Sequence, residues 1–117
     1  MIIKHITNLA IAMALSQILS AETNYFEAGK ETLADLIEIE STESAGLATK
    51  ASEYASEKLR SAGFGEDDLQ IAGPTATTLG LAATLRGAGS GPPVIVMAHL
   101  DVVPAVTESW DTYPYQM

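Results

Sequence analysis

The chain has 117 residues, no cysteine, and 15 acidic against 6 basic side chains, which gives a formal net charge of −9. This length allows one small domain, and the lack of thiols excludes disulfides, thiolate metal ligands and a cysteine nucleophile. The negative charge disfavours nucleic acid as a partner, because phosphate backbones are repelled. A solvated acidic surface explains the charge without naming any partner. Any metal must then be held by histidine and carboxylate groups.

The first 21 residues have the layout of a secretory signal peptide. A short basic start containing Lys4 precedes an apolar run without formal charge from Ile6 to Leu19, and small residues follow up to Ala21. Cleavage after Ala21 would release residues 22–117 as an exported protein, periplasmic or extracellular and free of the membrane. A membrane anchor is the alternative, but the run is shorter than the roughly 20 apolar residues that a span needs.

Two amphipathic helices are predicted next. Asn24 and Glu27 match a capping box, and apolar residues then recur at helical spacing up to a predicted end near Ile39. The second helix carries its apolar stripe from Leu47 to Ala62, and Gly63 is well placed to end it.

Strands are predicted after the helices. Residues 69–71 indicate a short strand that the Gly-Pro pair at 73–74 ends, and residues 79–86 alternate as a strand does. Residues 87–93 are too rich in glycine and proline for anything but a turn or loop. Residues 94–98 are apolar without alternation, which predicts an interior strand covered on both faces.

This order of elements predicts the α/β class, with two helices followed by the strands of a mixed, largely parallel sheet in a layered domain. The sequence reaches Met117 without the helix expected to cover the far face of that sheet. We therefore interpret residues 22–117 as the first, incomplete part of the domain.

His99 and Asp101 follow the apolar run directly, at the end of a strand where open α/β sheets bind their ligands. Residues two apart in an extended chain point to the same side, so the two side chains are expected to share a face. A neutral imidazole can bind zinc through one nitrogen while a carboxylate holds its other N–H. The alternative is a histidine whose aspartate neighbour closes a turn, and the spacing alone leaves both interpretations open.

The segment His99-Leu100-Asp101-Val102-Val103-Pro104, with the apolar run before it and Trp110 and Pro114-Tyr115 after it, resembles a known metal motif. It is similar to the first metal motif of the zinc exopeptidase and aminoacylase family. That family includes carboxypeptidases, dipeptidases, aminoacylase, acetylornithine deacetylase and succinyl-diaminopimelate desuccinylase. The order of helices and strands is similar over residues 24–115.

The resemblance implies the N-terminal portion of a metallopeptidase catalytic domain, from a carboxypeptidase-like hydrolase of peptide or N-acyl amide bonds. His99 would be a zinc ligand, and Asp101 the catalytic carboxylate that orients it and tunes its basicity. Two zinc ions would activate the attacking water. The remaining ligands, a glutamate general base and a lid domain that forms a homodimer would lie beyond Met117. Residues 22–117 alone are expected to be inactive, because a catalytic zinc site needs three protein ligands.

A non-catalytic binding or interaction module is the alternative function. Such a module would keep the α/β scaffold without a complete metal set, since a fold does not determine a function.

The signal-peptide hypothesis predicts where the mature protein begins. Protein recovered from the cell envelope or the medium should begin at or near Glu22, as measured by amino-terminal sequencing. A soluble cytoplasmic product that retains Met1 would contradict the signal-peptide hypothesis.

Overall fold

A computed structural model describes residues 25–89 and 91–117, so the predicted signal peptide and the helix cap at Asn24 lie outside the described residues. The chain divides after Ala34 into two compact units. Its elements are helix α1 (residues 25–38), helix α2 (Ala48–Ser61), strand β1 (Leu69–Ala72) and strand β2 (Gly80–Ala83). In the described ranges, no helix is both long and apolar enough to cross a membrane.

In the first unit, the described residues 25–34 are helical and make contacts between side chains one turn apart. The Lys30 ammonium lies 3.0 Å from a carboxylate oxygen of Glu27 and 5.5 Å from the centroid of the Phe26 ring. The Thr32 hydroxyl donates to the carbonyl oxygen of Ala28 at 2.8 Å. Contacts of this spacing support a helix, but each contributes little because the side chains are exposed to solvent.

In the second unit, α2 ends as the sequence predicts. Gly63 has a φ of 99°, in the left-handed region that glycine adopts without steric cost. The N–H of Phe64 donates to the Leu59 carbonyl at 3.1 Å, and that of Gly63 donates to the Arg60 carbonyl at 3.0 Å. These two bonds form a Schellman motif. The prediction that Gly63 stops the second helix is therefore confirmed.

Strands β1 and β2 form a two-stranded antiparallel sheet, in which Leu69 lies opposite Ala83 and Ala72 opposite Gly80. Helix α2 packs against both strands. The mixed α/β class is confirmed, but the described residues do not form the predicted parallel sheet. The connection between the strands, residues 73–79, is too short for a parallel crossover, which needs a dozen or more residues.

Hydroxyl groups of α2 hold the connection between the strands. The Ser52 hydroxyl donates to the Leu79 carbonyl at 2.7 Å. The Thr49 hydroxyl donates to the Ala76 carbonyl at 2.8 Å and accepts from the N–H of Leu79 at 3.0 Å. The N–H of Thr49 donates to the Thr77 carbonyl at 3.3 Å. This last bond satisfies an N–H of the first helical turn, which has no partner within the helix.

The prediction of a covered interior strand at residues 94–98 is wrong. The side chains of Val94, Ile95, Val96 and Met97 are between 81% and 91% exposed, and the segment belongs to no strand. An apolar run indicates that burial would be favourable, but an interior strand also needs a paired neighbour on each side. Among the described residues, β1 and β2 pair with each other and not with this segment.

An ion pair at the end of α2 leads to a prediction about how stability depends on pH. The Arg60 guanidinium donates to the two carboxylate oxygens of Glu66 at 2.5 and 3.1 Å, and to Glu57 at 2.6 Å. The hydrogen bonds and the positive charge of Arg60 hold the pKa of Glu66 below its usual value. Because that pKa is lowered on folding, the pair stabilises the folded state above the ordinary glutamate pKa. This stabilisation is lost as the pH falls through the lowered value.

Replacing Arg60 by glutamine should therefore raise the pKa of Glu66 towards its ordinary value. The carboxyl carbon of Glu66, followed by NMR through a pH titration, measures the change directly. The difference in thermal stability between the two proteins should shrink below a pH of about 4. Lys50→Gln, which removes another exposed cation of α2, is the matched control and should leave the Glu66 pKa unchanged. An equal Glu66 pKa in wild type and Arg60→Gln would contradict the prediction.

Candidate functional site

His99 and Asp101, the two site residues predicted from the sequence, lie together in the second unit. The His99 Nδ1 atom is 2.8 Å from the backbone carbonyl oxygen of Asp101 and 3.5 Å from a carboxylate oxygen of the same residue. Both side chains are open to solvent, at 83% and 69% exposure. The hydrogen-bond partner of the imidazole is therefore the main chain of Asp101, with the carboxylate close by.

This contact determines which imidazole nitrogen is available to a ligand. A carbonyl oxygen can only accept a hydrogen bond, so the geometry assigns the ring proton of neutral His99 to Nδ1. The Nε2 atom then keeps its lone pair, which is the form in which an imidazole binds a metal. The nearby carboxylate of Asp101 adds negative charge beside a ring that would carry a cation.

The segment that carries His99 and Asp101 is anchored by Ser41. The Ser41 hydroxyl donates to the Leu100 carbonyl at 2.5 Å, and the Ser41 carbonyl accepts from the N–H of Val102 at 3.2 Å. Beside it, Thr42 and Val102 form an isolated parallel bridge. A single stretch of chain therefore contacts the residues on both sides of Asp101.

A cavity of about 460 Å³ lies beside this segment in the second unit. Its lining includes the titratable residues His99, Asp101 and Glu43, and the hydroxyl-bearing residues Thr42, Thr77 and Thr78. No lysine or arginine is among the described residues that line it. The cavity has the volume of a small-molecule site and a wall that offers carboxylates, hydroxyls and one imidazole.

The described residues offer one imidazole with a free Nε2 atom and do not form a complete metal centre. Within residues 25–89 and 91–117, no three histidine or carboxylate side chains lie close enough together to hold an ion. A single imidazole with a fixed tautomer fits one position of a zinc coordination sphere, which takes nitrogen and carboxylate ligands.

The aromatic residues that follow the motif pack against their own segment. The Tyr115 hydroxyl accepts from the N–H of Ala105 at 2.8 Å, and the rings of Tyr113 and Tyr115 meet edge to face with centroids 6.0 Å apart. Trp110 is 57% exposed. None of these residues lines the cavity described above.

Sequence reasoning missed Ser41 and Thr42 as components of the site. Both are only 1% exposed, although they stand in a polar stretch that the sequence predicts as a loop. The Ser41 hydroxyl meets a carbonyl 59 residues away. No local pattern reports a contact over such a separation, so no sequence signal identifies the pair.

Comparison with family models, with curated proteins and with solved structures finds no match to this chain. The resemblance to zinc exopeptidases therefore rests on the motif and the order of elements alone.

The connection that forms part of the cavity wall depends on Gly73. A Cβ atom at this position would lie 2.5 Å from the Thr78 carbonyl oxygen and 2.9 Å from the Cα of Leu79. Because both atoms belong to the backbone, the connection would have to move. Gly73→Ala should lower the free energy of unfolding by about 1–3 kcal/mol, the usual cost of overpacking, as measured by urea denaturation.

Gly80→Ala is the matched control in the same hairpin. Its added Cβ would come no closer than 3.8 Å to the nearest atom, the Ala72 carbonyl oxygen. This substitution should be tolerated. Equal unfolding midpoints for the two variants would show that the connection is not as tightly packed as the structure indicates.

Proposed function

We propose that the chain is the N-terminal part of the catalytic domain of an exported, zinc-dependent hydrolase of peptide or N-acyl amide bonds. The observation that carries the proposal is the contact between the Nδ1 of His99 and the main-chain carbonyl of Asp101. It leaves Nε2 as the metal-binding nitrogen in a segment whose sequence resembles the first metal motif of the zinc exopeptidases.

The residues of this chain would have separate roles in that function. His99 would hold zinc through Nε2, and the carbonyl of Asp101 would keep the imidazole in the required tautomer. The carboxylate of Asp101 would support positive charge on the ring and the ion. When bound, zinc in such hydrolases supplies Lewis acidity and lowers the pKa of a water molecule. The adjacent cavity would receive part of a peptide or N-acyl amino acid.

The exposed run at residues 94–97 supports a larger domain. Four apolar side chains in sequence, each more than 80% exposed, form a patch of the kind that marks an interaction surface. Among the described residues, these four belong to no sheet, so further strands could pair with them. In the proposed enzyme these strands, and the further zinc ligands, would belong to the rest of the catalytic domain.

A binding or interaction module is the second candidate, and the exposed apolar side chains of residues 94–97 would suit a docking surface. The coding sequence past Met117 separates the two. A downstream aspartate, a Glu-Glu pair and a late histidine would favour the hydrolase. A stop codon or the absence of the glutamate pair would favour the module.

Substitution of the two motif residues in the full-length protein tests the proposal. His99→Ala should remove zinc from one site and abolish nearly all hydrolysis of a dipeptide or an N-acyl amino acid. Asp101→Asn keeps the carbonyl that fixes the tautomer and removes only the charge. It should therefore lower zinc affinity or turnover by roughly 10- to 100-fold. Zinc content and initial rates on the purified proteins measure both effects.

Asp111→Asn is the matched control, because it removes an exposed carboxylate from the same part of the chain but not from the cavity wall. Its zinc content and rate should equal those of the wild type. If asparagine at position 101 also has no effect, Asp101 is a turn residue, for which asparagine substitutes well. Near-normal activity of His99→Ala would end the hydrolase proposal.

A further inference from the structure

Ser41 forms hydrogen bonds with the motif segment, residues 99–104. Ser41 lies near the start of the second unit's sequence, and the motif segment lies near its end. Its side chain is 1% exposed, its hydroxyl donates to the Leu100 carbonyl at 2.5 Å, and its carbonyl accepts from the N–H of Val102 at 3.2 Å. Leu100 and Val102 are the two neighbours of Asp101. The bonds therefore restrain the two peptide groups that flank the Cα of Asp101, and the second of these carries the carbonyl that accepts the His99 Nδ1 proton.

The segment is held by residues that directly follow α1. The preceding residues 94–97 are exposed and belong to no sheet. Among the described residues, the two Ser41 hydrogen bonds and the isolated bridge between Thr42 and Val102 join residues 99–102 to the rest of the unit. Without them, the carbonyl of Asp101 would be free to turn away from the imidazole.

The approach of the chain to Ser41 is also unusual. Glu40 has a φ of 50°, which places a residue other than glycine in the left-handed region. The next residue but one, Thr42, donates its N–H to the Glu40 carbonyl at 2.6 Å. This tight turn directly after α1 brings the hydroxyl and the carbonyl of Ser41 onto the motif segment.

We propose that Ser41 is a positioning residue for His99, selecting the imidazole tautomer by fixing the backbone of residues 100–102. The role of this tautomer in holding zinc rests on the proposed function. The selection of the tautomer does not, because it follows from contacts within the protein. The hydroxyl is needed because the carbonyl of Leu100 lies in a partly buried position and requires a donor.

The experiment uses the full-length protein, with His99 labelled with ¹⁵N in its ring. In the zinc-free wild type, at a pH where the ring is neutral, the NMR shifts should show the proton on Nδ1. Ser41→Ala keeps the backbone bond from the Val102 N–H but removes the donor to the Leu100 carbonyl. The Asp101 carbonyl is then held less firmly, and the ring should populate both tautomers. Ser41→Thr keeps a hydroxyl donor and should restore the wild-type shifts.

Kinetics give the second readout. Ser41→Ala should lower kcat for the hydrolysis by roughly 10-fold, within the range seen when the partner of a metal-bound histidine is lost, with KM nearly unchanged. Tyr54→Phe is the control for loss of one hydrogen bond in this unit, because the Tyr54 hydroxyl donates to Asp35 at 2.5 Å. It should change neither the His99 shifts nor kcat.

The outcomes separate the two proposals. A wild-type protein without zinc-dependent turnover contradicts the proposed function, while the His99 shifts still decide the role of Ser41. A Ser41→Ala protein that is folded and keeps the proton wholly on Nδ1 overturns that role. If Ser41→Ala does not fold, Ser41→Cys replaces it. A thiol preserves the size of the side chain but is a weak donor, and the same shifts give the answer.

Discussion

Hydrogen bonds from small hydroxyl side chains to backbone carbonyls join the segments of the second unit. Ser52 and Thr49 bind the connection between the strands to α2, and Ser41 binds the motif segment to the turn that follows α1. In the described residues, Ala51 is the one apolar side chain that is buried. These hydrogen bonds therefore position the segments, which a larger apolar core would otherwise do. The cavity lies among the segments that the bonds hold.

A hydrogen bond to a backbone carbonyl also orients the imidazole of His99. The backbone carbonyl of Asp101 accepts from Nδ1, and the carboxylate of the same residue lies 3.5 Å from that nitrogen. The backbone can therefore set the tautomer while the side chain supplies charge. This division explains why a substitution that removes the charge need not disturb the geometry. It also explains how Ser41, whose hydrogen bonds to the segment go to backbone atoms, can affect the tautomer of the ring.

The exposed apolar run at residues 94–97 is a surface of the second unit that other segments could contact. Its side chains and its backbone polar groups would both gain from strands placed beside it. The motif segment directly follows this run, so strands added there would further restrain His99. Among the described residues, Ser41 and its neighbour Thr42 provide the restraint.

Local features of this protein were determined by the sequence itself. Helical spacing and Gly63 predicted α2 and its end, and the Gly-Pro pair predicted the end of β1. These predictions succeeded because a helix cap or a turn depends on the conformations that a few adjacent residues can adopt. His99 and Asp101 lie close together for the same reason, because a single residue separates them in the sequence.

The tertiary structure alone decided the features that depend on distant partners. The apolar pattern of residues 94–98 predicted burial, but the pattern reports what a segment prefers and not whether a neighbour is present to cover it. The contact of Ser41 with Leu100 spans 59 residues. Only the folded chain brings such groups together, because their approach depends on every element between them.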